Sequence, residues 1–170
     1  MNLKAYIRDI HDYPKAGILF RDITPLLADK TALAEAVSAL AEPFKDAHID
    51  YVAAVEARGF IFGSAVAKEL NAGFIPLRKT GKLPYTTESV TYQLEYGTDT
   101  IEVHSDAMKS GDRVLMIDDL LATGGTMSAA CQLVEKLGAE IAGLSFLIEL
   151  TDLAGRRKLP GYPIHIVMPF

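Results

Sequence analysis

The chain has 170 residues, 49% hydrophobic and 23% charged, with 17 Lys plus Arg against 22 Asp plus Glu. This excludes disordered, collagen-like and low-complexity chains, and the length suits one domain that can bury about 70% of the surface its unfolded form exposes. A formal charge of −5 argues against non-specific binding to nucleic acid or anionic membrane, so any bound anion must be gripped by local basic groups.

The first ten residues read as a short amphipathic helix with Leu3, Ile7 and Ile10 on one face. They lack the apolar core of a signal peptide. Pro14 and Gly17 break the chain before the apolar run Ile18-Leu19-Phe20. Asp29 and Thr31 then start a helix that runs to about Lys45. Tyr51 to Val55 is a continuous apolar run, the mark of a strand buried on both faces. Gly59 to Leu70 is predicted helical, with Gly73 as its stop, and Phe74 to Leu77 is the next strand.

Residues 78–99 form a long, turn-rich excursion. Within it Tyr92 to Tyr96 and, beyond Gly97, Thr100 to His104 alternate like two short antiparallel strands. Excursions of this length are usually lids or binding loops. Arg113 to Ile117 is another buried strand, Gly124 to Leu137 a helix closed by Gly138, and Ile141 to Leu150 and Ile164 to Met168 are the last two strands. The alternation of strands and helices predicts an α/β domain with a mostly parallel central sheet flanked by helices. No linker divides it.

Few residues outside one segment carry recognisable chemistry. Cys131 is the single cysteine, at an apolar helical position, so no intrachain disulfide is implied. His11, His48, His104 and His165 are too scattered for a zinc site. No run of about 18 apolar residues exists to span a bilayer. Together these features make the cytoplasm the expected compartment.

The strongest signal is Val114-Leu115-Met116-Ile117-Asp118-Asp119-Leu120-Leu121-Ala122-Thr123-Gly124-Gly125-Thr126. An apolar strand ends in two carboxylates, a loop of small and hydroxyl residues follows, and a helix begins. Loop amides and a helix N-terminus form a concavity suited to phosphate. Two acids beside that concavity would repel phosphate, so they must face sugar hydroxyls or a magnesium ion on the same ligand. A phosphorylated sugar is implied. The segment has neither the lysine of a P-loop nor the glycine spacing of a dinucleotide site.

This segment resembles the phosphoribosyl pyrophosphate motif of type I phosphoribosyltransferases. Phe20-Arg21-Asp22-Ile23-Thr24-Pro25, Glu56-Ala57-Arg58-Gly59-Phe60, Arg78 to Pro84 and Leu94-Glu95-Tyr96-Gly97 continue the resemblance in order over nearly the whole chain and narrow it to the members that use adenine. One departure is Glu56-Ala57, where some relatives carry Asp-Ser. The resemblance implies that family's fold, with a small base-binding hood over residues 1–30 and a flexible β-hairpin lid over 78–104. It implies transfer of a 5-phosphoribosyl group from the pyrophosphate donor to adenine, with Mg2+ as cofactor and a homodimer as the working form. Asp118 and Asp119 would contact the ribose hydroxyls, directly or through the metal. Ala122, Thr123, Gly124, Gly125 and Thr126 would hold the 5-phosphate. Arg58, Arg78, Lys79 and Lys82 would face pyrophosphate, Arg78 reaching into a partner subunit. Leu19, Phe20 and Arg21 would form the adenine site, Glu95 would act as general acid/base with Arg58 as the second catalytic residue, and Tyr96 would cover the donor when the lid closes. Two alternatives stand beside this reading: transfer to another base, or a non-catalytic sensor on the same fold.

Overall fold

In the computed structural model, which describes residues 1–94 and 96–170, the strands are β1 (Arg8–His11), β2 (Leu19–Asp22), β3 (Tyr51–Val55), β4 (Gly73–Lys79), β5 (Thr87–Gln93), β6 (Thr98–His104), β7 (Arg113–Leu121), β8 (Glu140–Glu149) and β9 (Ile164–Pro169). The helices are α1 (Thr24–Ala28), α2 (Lys30–Ala41), α3 (Arg58–Glu69) and α4 (Gly125–Lys136). One sheet has the order β5-β6-β4-β3-β7-β8-β9, and β1 and β2 form a separate antiparallel pair. From β4 to β9 every neighbouring pair is parallel, and β5, β6 and β4 pair antiparallel. The mostly parallel α/β sheet is therefore as expected.

Apolar side chains cover both faces of this sheet. Val52, Leu115 and Ile117 pack on one face with Phe62 and Val66 of α3 and Leu40 of α2. Ala53, Met116 and Phe146 pack on the other with Leu133 and Val134 of α4. Burial on both faces is what the unbroken apolar runs of β3 and β7 reflect.

Three expectations are corrected. Residues 1–10 are not one helix: only Leu3–Tyr6 forms a 3-10 turn, and Arg8–His11 pairs with Leu19–Asp22. A ten-residue helix is marginal on its own, so pairing across the Asp12–Gly17 turn wins; there the Gly17 N–H donates to Asp12 Oδ1 at 2.8 Å. The second helix begins as expected, with Asp29 accepting from the Thr31 and Ala32 amides, but it ends at Ala41 and gives way to a 3-10 turn over Glu42–Phe44. Pro43 explains this, because it has no N–H for the helical ladder. The segment after β4 does not leave the sheet. β6 pairs with β4 through Arg78 opposite Glu102 and Lys79 opposite Ile101, and β5 extends that edge. Among the described residues, no helix is long and apolar enough to cross a membrane.

Candidate active site

The carboxyl ends of β3 and β7 open into a cleft of about 430 Å3. Clefts beyond the carboxyl ends of parallel strands are where open α/β sheets bind ligands. Asp118 and Asp119 lie within β7 and not in a loop after it, because Asp118 remains in register with Phe146 and Leu120 with Ile148 of β8. The ten-residue β8 supplies a partner that the apolar run of β7 alone did not disclose. Asp119 is only 4% exposed, and its Oδ2 forms an ion pair with Arg58 Nε at 2.8 Å. Asp118 Oδ1 accepts the Asp119 N–H at 2.9 Å. Burial pushes the Asp118 carboxyl well above its usual range, and the neighbouring Asp119 charge adds to this. Burial also raises Asp119, against the pull of Arg58.

Ala122, Thr123 and Gly124 turn the chain from β7 into α4. Gly124 has φ +82°, a left-handed conformation that glycine adopts without penalty. The amides of Gly125, Thr126 and Met127 are the free donors of the first helical turn, and all three residues line the cleft. Gly155, which no sequence motif singled out, supports this turn: a Cβ there would lie 2.3 Å from the Ala122 carbonyl oxygen, and one at Gly124 would lie 2.4 Å from that of Gly155. The two backbones touch, and only glycine permits that on either side.

Arg58 opens α3, directly after a cis peptide between Glu56 and Ala57. An arginine at the positive end of a helix needs an anion, and Asp119 provides one. The Arg58 guanidinium also lies 5.6 Å from the centroid of the Phe20 ring, which packs edge-on against Tyr13. The β1–β2 pair is thereby joined to the acids through Phe20 and Arg58. Leu19 is exposed. The Arg21 side chain is committed elsewhere, in an ion pair with Asp9 and 4.4 Å over the Phe170 ring.

Glu56 is the organising acid that sequence reasoning missed. Its Oε1 accepts from Arg78 Nε at 3.3 Å and from the Lys79 amide at 2.8 Å, and its Oε2 accepts from Lys82 Nζ at 2.7 Å. Burial opposes its ionisation, but the Lys82 ammonium, the Lys79 amide and Arg78 hold its carboxyl below the usual range. Glu56→Ala is expected to destabilise the protein by about 2 kcal/mol, read from the urea midpoint, because it strands three donors at once.

Lys79 pairs with Asp99 and donates to the Tyr92 hydroxyl at 3.4 Å. That hydroxyl is 3.3 Å from Thr126 Oγ1, so the hairpin touches the start of α4 directly. At the hairpin tip Tyr96 is 82% exposed; Glu95 lies outside the described residues. Among the described residues no cluster of three or more His, Cys, Asp or Glu side chains could hold a metal ion.

A strand, two acids, an amide cradle and a helix at the edge of a mostly parallel sheet define a phosphoribosyltransferase-class domain. In agreement, the family model "Phosphoribosyl transferase domain" matches residues 23–163. The adenine phosphoribosyltransferase of Methylococcus capsulatus is 58% identical over 168 residues, covering 99% of this chain and 98% of the relative. The crystal structure of the Rhodothermus marinus adenine phosphoribosyltransferase aligns with a TM-score of 0.94 at 53% identity, covering 99% of this chain and 96% of that one. The Saccharomyces cerevisiae adenine phosphoribosyltransferase, crystallised with an imino-altritol bisphosphate and adenine, aligns with a TM-score of 0.92 at 38% identity, covering 97% and 96%. The chain belongs to the adenine phosphoribosyltransferase family.

Proposed function

We propose that the chain transfers the 5-phosphoribosyl group of phosphoribosyl pyrophosphate to adenine, giving AMP and pyrophosphate, as a step of purine salvage. The observation that carries this reading is the side-by-side placement of Asp118, Asp119 and the Ala122–Thr126 cradle in one cleft. The spacing suits a ligand with a phosphate at one end and ribose hydroxyls beside it.

In this reading, the amides of Gly125 and Thr126 and the hydroxyls of Thr123 and Thr126 hold the 5-phosphate at the positive end of α4. Asp118 and Asp119 hold the ribose hydroxyls. Their negative charge also suits the positive charge that develops on the sugar ring as its bond to pyrophosphate breaks. Arg58, Arg78, Lys79 and Lys82 face the departing pyrophosphate. These cations are balanced by Asp119, Glu56 and Asp99, so the incoming anion takes over partners that the chain's own carboxylates hold beforehand. Phe20 offers a flat apolar surface for adenine, and the backbone of Leu19 and Arg21 reads its edge. Glu95 handles the proton at the purine nitrogen, and Tyr96 covers the donor. The 78–104 hairpin excludes water that would otherwise hydrolyse the activated sugar.

Mg2+ belongs to the same proposal. It prefers one or two carboxylates together with substrate phosphates and water, and the pair Asp118 and Asp119, without a third acid, fits that donor set. When bound with the donor, it would neutralise phosphate charge. The reading also takes the enzyme as a cytoplasmic homodimer.

The test is adenine-dependent AMP formation, measured with and without magnesium and against a panel of other bases. Rapid turnover with adenine, lost on chelation, is expected. Turnover with a different base alone, or none with any base, would overturn the assignment.

A further inference from the structure

Outside the lining of the cleft, next to Gly125 at its edge, stands one more cation that the cradle motif does not include. Lys158 ends the 3-10 turn Gly155–Lys158, and its Nζ lies 3.8 Å from the point where Gly125 would carry a Cβ. Gly125 is the first residue of α4 and lines the cleft, so this ammonium lies beside the helix end that the cradle motif offers to phosphate.

The turn that presents Lys158 is anchored on both sides. Gly155 is wedged against the Ala122 carbonyl. Arg156 grips Glu149 with two bonds, Nε to Oε1 at 2.8 Å and Nη2 to Oε2 at 3.0 Å. Leu159, immediately after the lysine, is 2% exposed. A rigid base lowers the entropic cost of holding a long side chain in one place.

Charge pairing distinguishes Lys158 from the other cations around the cleft. Arg58, Arg78, Lys79 and Lys82 each have a carboxylate partner. Among the described residues no carboxylate lies within 4.0 Å of the Lys158 ammonium. An ammonium without a carboxylate partner, beside the free amides of the first turn of α4, suits a phosphate group as counterion.

We infer that Lys158 binds the 5-phosphate of the phosphoribosyl donor and of AMP, adding a mobile ion pair to the amide cradle. The inference rests on the reading of the cleft as a phosphoribosyl site. It makes affinity for the sugar-phosphate end depend on a residue 32 positions beyond the last residue of the motif.

The test compares Lys158→Gln and Lys158→Arg with the wild-type enzyme. The side chain is exposed, so both variants should fold normally. For Lys158→Gln, the AMP dissociation constant by calorimetry and the KM for the donor should rise by about tenfold, the lower end of what a hydrogen bond to a charged group contributes. The KM for adenine and the kcat should stay close to wild type, and Lys158→Arg should recover most of the loss. Unchanged AMP affinity, an equal loss for adenine, or no rescue by arginine would overturn the assignment. Binding of ribose 5-phosphate to wild type and Lys158→Gln is measured in parallel. If the wild-type enzyme makes no AMP, the functional reading falls, while a ribose 5-phosphate affinity that does or does not drop in Lys158→Gln still decides the role of this lysine.

Discussion

Asp118→Asn and Asp119→Asn should each lower kcat/KM by about a hundredfold or more, the scale of removing a preorganised charge from a transition state. Both side chains keep their shape, so the loss reports charge rather than packing. The two variants should differ in stability. At Asp118, burial and the adjacent Asp119 charge hold the folded carboxyl above its usual range. The folded protein therefore binds more protons than the unfolded chain, and Asp118 subtracts stability as pH rises from about 4 through the raised folded value. Asparagine removes that penalty. The free Asp118→Asn protein should melt higher than wild type at pH 8, and the gap should narrow toward pH 4. Asp119→Asn also deprives Arg58 of its 2.8 Å partner, so its gain should be smaller or absent. Thermal melts across pH, with initial rates over a range of donor and adenine concentrations, check both statements. A melting gap that widens as pH falls, or either variant with near-normal turnover, would refute them.

Gly124→Ala should be equally damaging by a different route. A non-glycine residue at φ +82° costs about 1–3 kcal/mol of backbone strain. Its Cβ would also meet the Gly155 carbonyl oxygen at 2.4 Å, a backbone atom that cannot rotate away. Either the 151–158 segment or the cradle must shift. A loss of at least about 3 kcal/mol in stability and a hundredfold or greater loss of AMP affinity are expected. Gly125→Ala is the control. Its Cβ would meet only the flexible end of Lys158, at 3.8 Å, and it should leave the urea midpoint unchanged.

The sequence disclosed the elements that depend on neighbours along the chain. β3 reads as buried because Tyr51 to Val55 is apolar without interruption, and α2 starts at Asp29 because that side chain caps it. The hairpin was legible only in part. Thr87 to Thr91 lacks an apolar alternation, yet β5 runs through it, held by cross-strand pairing from Thr87 opposite His104 to Gln93 opposite Thr98 and by the Lys136–Glu88 ion pair from α4. Residues 1–10, which include most of β1, read as a helix because spacing alone cannot tell a three-residue apolar period from a strand that finds a partner.

The same division runs through the site. The acids, the glycine turn and the helix start follow from thirteen consecutive residues, because strand, cradle and helix N-terminus are local structures with local signals. Tertiary structure alone decided which charges meet. Glu56 reaches Arg78 and Lys82 across 22 and 26 residues, Gly155 supports Ala122, and Lys158 stands over Gly125. The physical reason is that β4, β3, β7 and β8 lie side by side in an order different from their order along the chain, so the residues at their carboxyl ends become neighbours only once the sheet has formed.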